Sequence, residues 1–260
     1  MIRSLWIAKT GMEGQQAALD AISNNLANVA TNGYKRGGVA FEDLMYQNLR
    51  SAGANSSEQT LLPTGLQVGL GVRVAASTRN FSQGTLQQSG NPLDIAINGQ
   101  GFFQVTLPDG STGYTRDGSF QKDANGQIVT NAGYVLQPGI TVPKDATSVD
   151  IGNDGTVTAS ILNQTAPQKL GQIQLASFIN PGGLDSRGGN LYAETAASGA
   201  AQSAAPNTAG HGALLQSFTE GSNVNVVQEL VSMIATQRAY ELNSKAIQAS
   251  DQMLQKLGQL

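Results

Sequence analysis

Cysteine is absent from all 260 residues, and histidine and tryptophan occur once each. Disulfides, thiol nucleophiles and cysteine-held metals are therefore excluded. The lack of cysteine fits either chance or a chain that avoids stray disulfides in an oxidising compartment. Charged residues make up 13% and aromatics 5%, and the net charge is −3. So small a balance offers no basic face to nucleic acid, and no run of like charges makes a tail. No stretch approaches the ~18 apolar residues of a membrane helix, so no membrane insertion is expected. Near the N-terminus Lys9, Glu13, Gln15 and Gln16 interrupt the apolar core that a secretory signal needs. The expectation is that a chain leaving the cytoplasm does so without a cleaved signal.

Catalytic constellations are equally scarce. His211 lies in an Ala/Ser/Gly/Thr-rich stretch, residues 193–212, with no evident partner. It is expected to be exposed and inert, because metal sites and triads need clustered groups. Gly99-Gln100-Gly101 lacks the third glycine and the helix of a dinucleotide fingerprint. Asp117 and Asp123 read as turn formers, and the spacing after Asp123 does not continue into a calcium loop. The sequence assigns no catalytic, cofactor-binding or metal-ligating residue, and no enzyme activity is expected.

What the chain does have is two long amphipathic ends. Residues 4–29 carry Leu5, Ala8, Met12, Leu19, Ile22, Leu26 and Val29, which with Gln15 step by three and four in heptad fashion. Gly11 and Gly14 interrupt this helix. They mark either a weak spot or late start, at about 1 kcal/mol each against alanine, or a place where a neighbour comes close. Residues 223–257 carry two apolar rows. One is Val231, Ala235, Ala239, Leu242, Ala246, Ala249, Met253 and Leu257. The other is Val226, Leu230, Met233, Tyr240, Ile247 and Leu254. Two rows predict neighbours on two sides. Asn225 with Gln228 forms a capping pattern, Gly258 follows as a stop, and the span is roughly 50 Å.

Between the ends the pattern is β-like. Asn98-Gly99, Asp109-Gly110, Asp117-Gly118, Asn125-Gly126 and Asp154-Gly155 recur as turn dipeptides, some of them in loops rather than tight hairpins. The expected class is α+β: long terminal helices pairing as a coiled-coil-like layer, with an inserted, mainly antiparallel β domain. The expected division is a terminal helical assembly domain at 1–35 and 220–260 and a β domain at 76–192. Connecting segments cover 36–75 and 193–219, with an extended loop at about 50–65. The low-complexity stretch 193–212 reads as a linker. Because one antiparallel helix pair leaves a row in water, the ends are expected to be poorly ordered in the monomer and to become ordered on assembly.

Three stretches carry a family resemblance. They are Asn24-Asn25-Leu26-Ala27-Asn28 through Thr31-Asn32-Gly33-Tyr34-Lys35; Gly99-Gln100-Gly101-Phe102-Phe103 with Tyr114-Thr115-Arg116-Asp117-Gly118-Ser119-Phe120; and Ser222-Asn223-Val224-Asn225 through Gln237-Arg238-Ala239-Tyr240-Glu241 and Asp251-Gln252-Met253-Leu254. In this order they resemble the bacterial flagellar rod and hook proteins over essentially the whole chain. Length and the excursion Ser56-Ser57-Glu58-Gln59-Thr60 are most similar to the distal-rod members. The resemblance implies a structural subunit without cofactor, passed through the flagellar export apparatus and polymerised helically into a hollow, torque-carrying shaft in the periplasm. It implies contacts with proximal rod proteins, with hook or hook-junction subunits, and with the peptidoglycan-layer and outer-membrane rings. It also implies that the apolar helix rows form the subunit contacts and that the excursion is specific to rods. Alternatives are a proximal-rod or hook subunit, or a monomeric carbohydrate-binding or hydrolytic β protein.

Overall fold

The computed structural model describes every residue except 1, 52, 54, 58, 59, 62, 163–165, 259 and 260. The expected α+β class is observed: a helix near each end, and antiparallel strands between them. Two units are distinguished. One comprises Met1–Leu26, Gly37–Thr78 and Asn225–Leu260; the other comprises Ala27–Arg36 and Arg79–Val224.

The first, helical unit holds α1 (Ile2–Ala27) and α2 (Val226–Leu257). The side chain of Asn225 accepts from Gln228 N at 3.2 Å, satisfying one of the free amides of the first turn of α2. The glycines of α1 are close-approach positions inside a continuous helix. A Cβ on Gly11 would lie 2.9 Å from the Asn243 side chain, and one on Gly14 would lie 3.2 Å from the Phe41 ring. Strand Gly37–Asp43 pairs with Val72–Arg79, and Gln47–Arg50 pairs antiparallel with Leu66–Val68. Within the excursion Asn55–Ser57 pairs with Thr60–Leu61. Ser56, Ser57 and Thr60 thus sit on a paired ribbon rather than in an unstructured loop, whereas Glu58 and Gln59 lie outside the described residues.

The second, β unit is built on a nine-stranded sheet. Its centre, Phe102–Thr106, pairs antiparallel with Thr112–Thr115, Val135–Leu136 and Leu175–Ser177. Successive side chains of a strand point to opposite faces. Phe103, Val105 and Leu175 accordingly join an aliphatic core with Ile95, Phe120, Ile128, Leu136 and Leu214. Phe102 and Ala176 join an aromatic cluster with Tyr114, Phe178 and Tyr192 on the other side. A three-stranded sheet is formed by Ala146–Ile151, Thr156–Ile161 and Gln168–Gln172.

Asp109-Gly110, Asn125-Gly126 and Asp154-Gly155 are hairpin turns, each with a positive-φ glycine. Asn98-Gly99 and Asp117-Gly118 instead carry the chain between strands that do not pair with each other. Asp109, Asp117, Asp123 and Asp154 all accept from the backbone amide two residues on. Their role in these turns is that of local acceptors.

The stretch 193–212 differs from the expected linker. Strand Gln202–Ala204 pairs with Leu175–Ser177, and Ser198 is buried. Small side chains bring backbone hydrogen bonds into the interior where large ones would not fit. His211, expected to be exposed, is likewise buried. Its Nδ1 lies 3.1 Å from Thr208 O and its Nε2 3.1 Å from Gln202 O. The ring ties strand Gln202–Ala204 to the turn at Thr208.

Candidate functional site

Among the described residues no group of three His, Cys, Asp or Glu could hold a metal ion. Among the same residues no helix is long and apolar enough to cross a membrane. The arrangements that stand out are two: the seam between the helices, and the place where the chain enters and leaves the β unit.

The helices are antiparallel, and their contacts run in step. Ser4 Oγ lies 3.3 Å from Ser250 Oγ, Gly11 packs on Asn243, and Asn25 Nδ2 donates to Glu229 Oε2 at 3.3 Å. Each step along α1 equals the step back along α2, and all are multiples of seven, the repeat of a supercoiled pair. The side chain of Asn25 also pairs with Gly37 as a neighbouring strand would. Its Nδ2 donates to Gly37 O and its Oδ1 accepts from Gly37 N, both at 2.8 Å. Asn25 and Glu229 are both buried.

These contacts fall one residue before Leu5, Met12 and Leu26. The inner face of α1 therefore mixes small and polar residues with Ala8 and Ile22 of the predicted row, both buried. Ile22 is buried, and Leu5, Met12, Leu19, Leu26 and Val29 are half-buried. On α2, Val226, Leu230, Val231, Leu242 and Met253 are exposed, whereas Met233, Ile247 and Leu254 are half-buried. The side chain of Leu257 lies outside the described residues. Val227 and Ile234, on neither predicted row, are exposed as well. Small seam residues permit close approach, and a polar pair inside a seam fixes register at a cost in stability.

In the β unit the second half of the Asn-rich motif is stitched down. Gly33, at φ +68°, presses against the backbone of Asp117, where a Cβ would lie 2.5 Å from Asp117 N. Only glycine fits this combination of conformation and approach. Gly33 N donates to Glu220 O at 2.7 Å. Asn32 Nδ2 donates to Ser119 Oγ at 3.2 Å, and Asn190 Nδ2 donates to Asn32 O at 3.0 Å. Tyr34 is buried, as is Lys35. Asn28 and Thr31 close the turn that precedes them, with Thr31 N donating to Asn28 O at 3.2 Å.

The centre of this clasp is Glu220. Its Oε1 accepts from Lys35 Nζ at 2.6 Å and from Gly84 N at 2.9 Å, and its Oε2 accepts from Arg116 Nη1 at 3.2 Å. Side-chain exposure is 0% for Lys35 and Glu220 and 4% for Arg116. Lys35 Nζ also donates to Ser82 O at 2.8 Å. Arg116 Nη2 reaches Gly99 O at 2.6 Å, and the guanidinium carbon lies 5.6 Å from the centre of the Phe102 ring. Its Nε has no hydrogen-bond partner among the described residues. Burial pulls the pKa of Lys35 below its ordinary value, and the facing Glu220 carboxylate works against that pull. Beside the cluster, Arg36 N donates to Asn223 Oδ1 at 2.7 Å, and Asn223 Nδ2 donates to Asn80 O at 2.8 Å. Incoming and outgoing strands are thus tied to each other and to the sheet.

Lys35 was singled out by the sequence motif; Glu220 was not. The signal available was that Glu220 is the sole carboxylate between Glu194 and Glu229. A lone charge after an apolar strand is a candidate for a buried partner.

Three family models match the chain: the flagella basal body rod protein at residues 5–35, the flagellar hook protein FlgE/F/G D1 domain at 96–159, and the C-terminal region of the flagellar basal body rod FlgEFG proteins at 215–260. The chain is 56% identical to the flagellar basal-body rod protein FlgG of Buchnera aphidicola subsp. Schizaphis graminum over 260 residues, all of both chains. It is 49% identical to FlgG of Caulobacter vibrioides, covering 100% of this chain and 99% of that one. It is 42% identical to FlgG of Bacillus subtilis, covering 99% and 98%.

Proposed function

The chain belongs to the FlgG family of flagellar basal-body rod proteins, structural subunits of the rod of this motility organelle, and from that premise we propose that copies of it polymerise helically into the distal rod. The product is a hollow, torque-carrying drive shaft in the periplasm, with a bore wide enough to pass exported subunits. Each copy arrives through the flagellar export apparatus without a cleaved signal. Along the shaft it meets proximal rod proteins, hook or hook-junction subunits, and the peptidoglycan-layer and outer-membrane rings. No catalysis is involved. The ribbon bearing Ser56, Ser57 and Thr60 bridges neighbouring copies and stiffens the shaft.

The observation that carries this reading is the placement of the apolar rows. The helices meet within one molecule through Ser4, Gly11, Asn25, Asn243 and Ser250, while Val231, Leu242 and Met253 face solvent. Full burial of such a side chain contributes about 1.5–3 kcal/mol. A repeated copy supplies that burial many times over, with the helix layer innermost. The experiment is cryo-electron microscopy of purified chain allowed to assemble. Helical tubes with the exposed rows of α2 packed between copies support the proposal. A chain that stays monomeric at all concentrations, with the same helix content by circular dichroism as under assembly conditions, overturns it.

A further inference from the structure

Carboxylates drawn into the β unit are compensated to different degrees. Glu220 is held by Lys35 and Arg116. Asp94 is buried and accepts from the side chains of Ser89 and Asn91. Asp117 is half-buried, accepts from Ser119 N at 3.0 Å, and is in no ion pair among the described residues. The other charge that acts on it is Asp94, of the same sign. A desolvated charge without a counter-charge is a net cost to the single chain.

This carboxylate lines a recess of about 330 Å³ together with Thr115, Thr130, Asn131, Tyr134 and Asn190. The turns after strands Thr112–Thr115 and Ile128–Thr130 and the turn before Leu191–Ala193 converge there. Internal bonds fix the walls and use up donors of the lining. Asp117 N donates to Thr115 Oγ1 at 3.0 Å, Tyr134 N to Thr130 Oγ1 at 3.2 Å, and Asn190 Nδ2 to Asn32 O at 3.0 Å. Asn190 Oδ1 accepts from no group among the described residues. The recess thus offers one negative charge and a spare acceptor, already in place. Tyr134, which packs on the aliphatic core, adds an aromatic wall.

We infer that this recess binds the guanidinium group of an arginine side chain presented by a second copy of the chain. The inference rests on the polymer proposed above and names one of its contacts. Charge selects a cation. A guanidinium is a flat group with donors only, so it can pair with the carboxylate, reach the amide oxygen and lie against the tyrosine ring. A compact ammonium meets fewer of these partners at once. The chain carries suitable groups: Arg3, Arg50, Arg187 and Arg238 are exposed and in no ion pair among the described residues.

The first test is made on the dispersed full chain. N-acetyl-L-arginine amide is titrated while backbone amide resonances are followed by nuclear magnetic resonance, with N-acetyl-L-lysine amide as the comparison. The expected result is shifts confined to the recess, around Asp117, Asn131 and Asn190, with a Kd on the order of 1 mM. Asp117→Asn should weaken that binding at least about tenfold, and the lysine compound should bind at least about fivefold more weakly than the arginine one. No shifts at the recess, or equal binding by the variant or by the lysine compound, overturns the site. The second test is assembly. Asp117→Asn should raise the critical concentration at least about tenfold without lowering the thermal midpoint of the monomer. An unaltered critical concentration overturns a second copy as the source of the arginine, whatever the titration shows. Failure of the unsubstituted chain to assemble strikes the polymer instead and leaves the titration result standing.

Discussion

Phe103, Phe120, Ile128, Leu136 and Leu214 in the β unit are wholly withdrawn from solvent, whereas Val227, Val231, Leu242 and Met253 in the helical unit are more than half exposed. The contrast extends to polar groups. In the β unit a carboxylate and two cations are buried together at the centre of the clasp, each with further hydrogen bonds. In the helical unit, the polar pair Asn25 and Glu229 is buried in the helix pair while many larger apolar side chains of α2 stay exposed. The β unit is thus finished within one molecule. The helical unit has its register fixed internally but leaves large apolar side chains exposed.

The sharpest way to break the comparison is at Glu220. Glu220→Gln leaves Lys35 and Arg116 buried without their carboxylate and should cost about 3–5 kcal/mol, read from denaturant unfolding of the full chain. A loss below about 1 kcal/mol would mean that the clasp contributes little to closure. Next in size is the double variant Val231→Asp, Leu242→Asp. Both positions face solvent in the single molecule, so monomer stability should change by no more than about 0.5 kcal/mol per site. Assembly should need at least about a hundredfold more protein, the equivalent of about 3 kcal/mol of lost burial. Sedimentation and thermal melts check the two halves separately, and a destabilised monomer with unimpaired assembly reverses the assignment. Asn25→Ala removes three hydrogen bonds made by a buried amide and should cost about 1–3 kcal/mol. Hydrogen exchange should show the loss concentrated in α1 and the strand from Gly37.

The smallest effect is expected at Asp117. Desolvation holds its carboxyl above the ordinary value of 3.8, against the hydrogen bonds from Ser119. A raised folded-state pKa means that the folded chain binds this proton more tightly than the unfolded one. Stability therefore falls as pH rises from 3.8 through the raised value, and the charged form is a net cost at neutral pH. Asp117→Asn keeps an acceptor for Ser119 N and discards the charge. The thermal midpoint at pH 7 should rise slightly and its slope across that acidic window should flatten. A lower midpoint would show that the charge has a favourable partner.

Local chemistry made much of the fold legible. The cap at Asn225, the hairpin turns at Asp109-Gly110, Asn125-Gly126 and Asp154-Gly155, and the long helices all follow from residues within one or two turns of one another. The helix seam was legible only to within one residue. Apolar periodicity finds Ala8 and Ile22 of the contact face, but not Ser4, Gly11 and Asn25, whose small or polar side chains let two helices approach closely. The clasp was out of reach. Glu220 lies 185 residues from Lys35 and 104 from Arg116, and no periodicity links groups so far apart. The stretch 193–212 misled for the opposite reason. Its composition suits a flexible tether, yet alanine and serine are also the residues that let a strand such as Gln202–Ala204 lie tightly against its neighbour.

The in-step pairing of α1 and α2 also has a consequence for how a single chain matures. Translation produces α1 first and α2 last, with the whole β unit made in between. The opening helix must therefore wait, unzipped, for nearly the entire polypeptide. A chain cut short before Val226 keeps the contacts of α1 with Phe41 and Gly37 but has no Ser250, Asn243 or Glu229 to set its phase. The register of the helix pair is thus set only once α2 has been made, whereas the β unit has its own core without it.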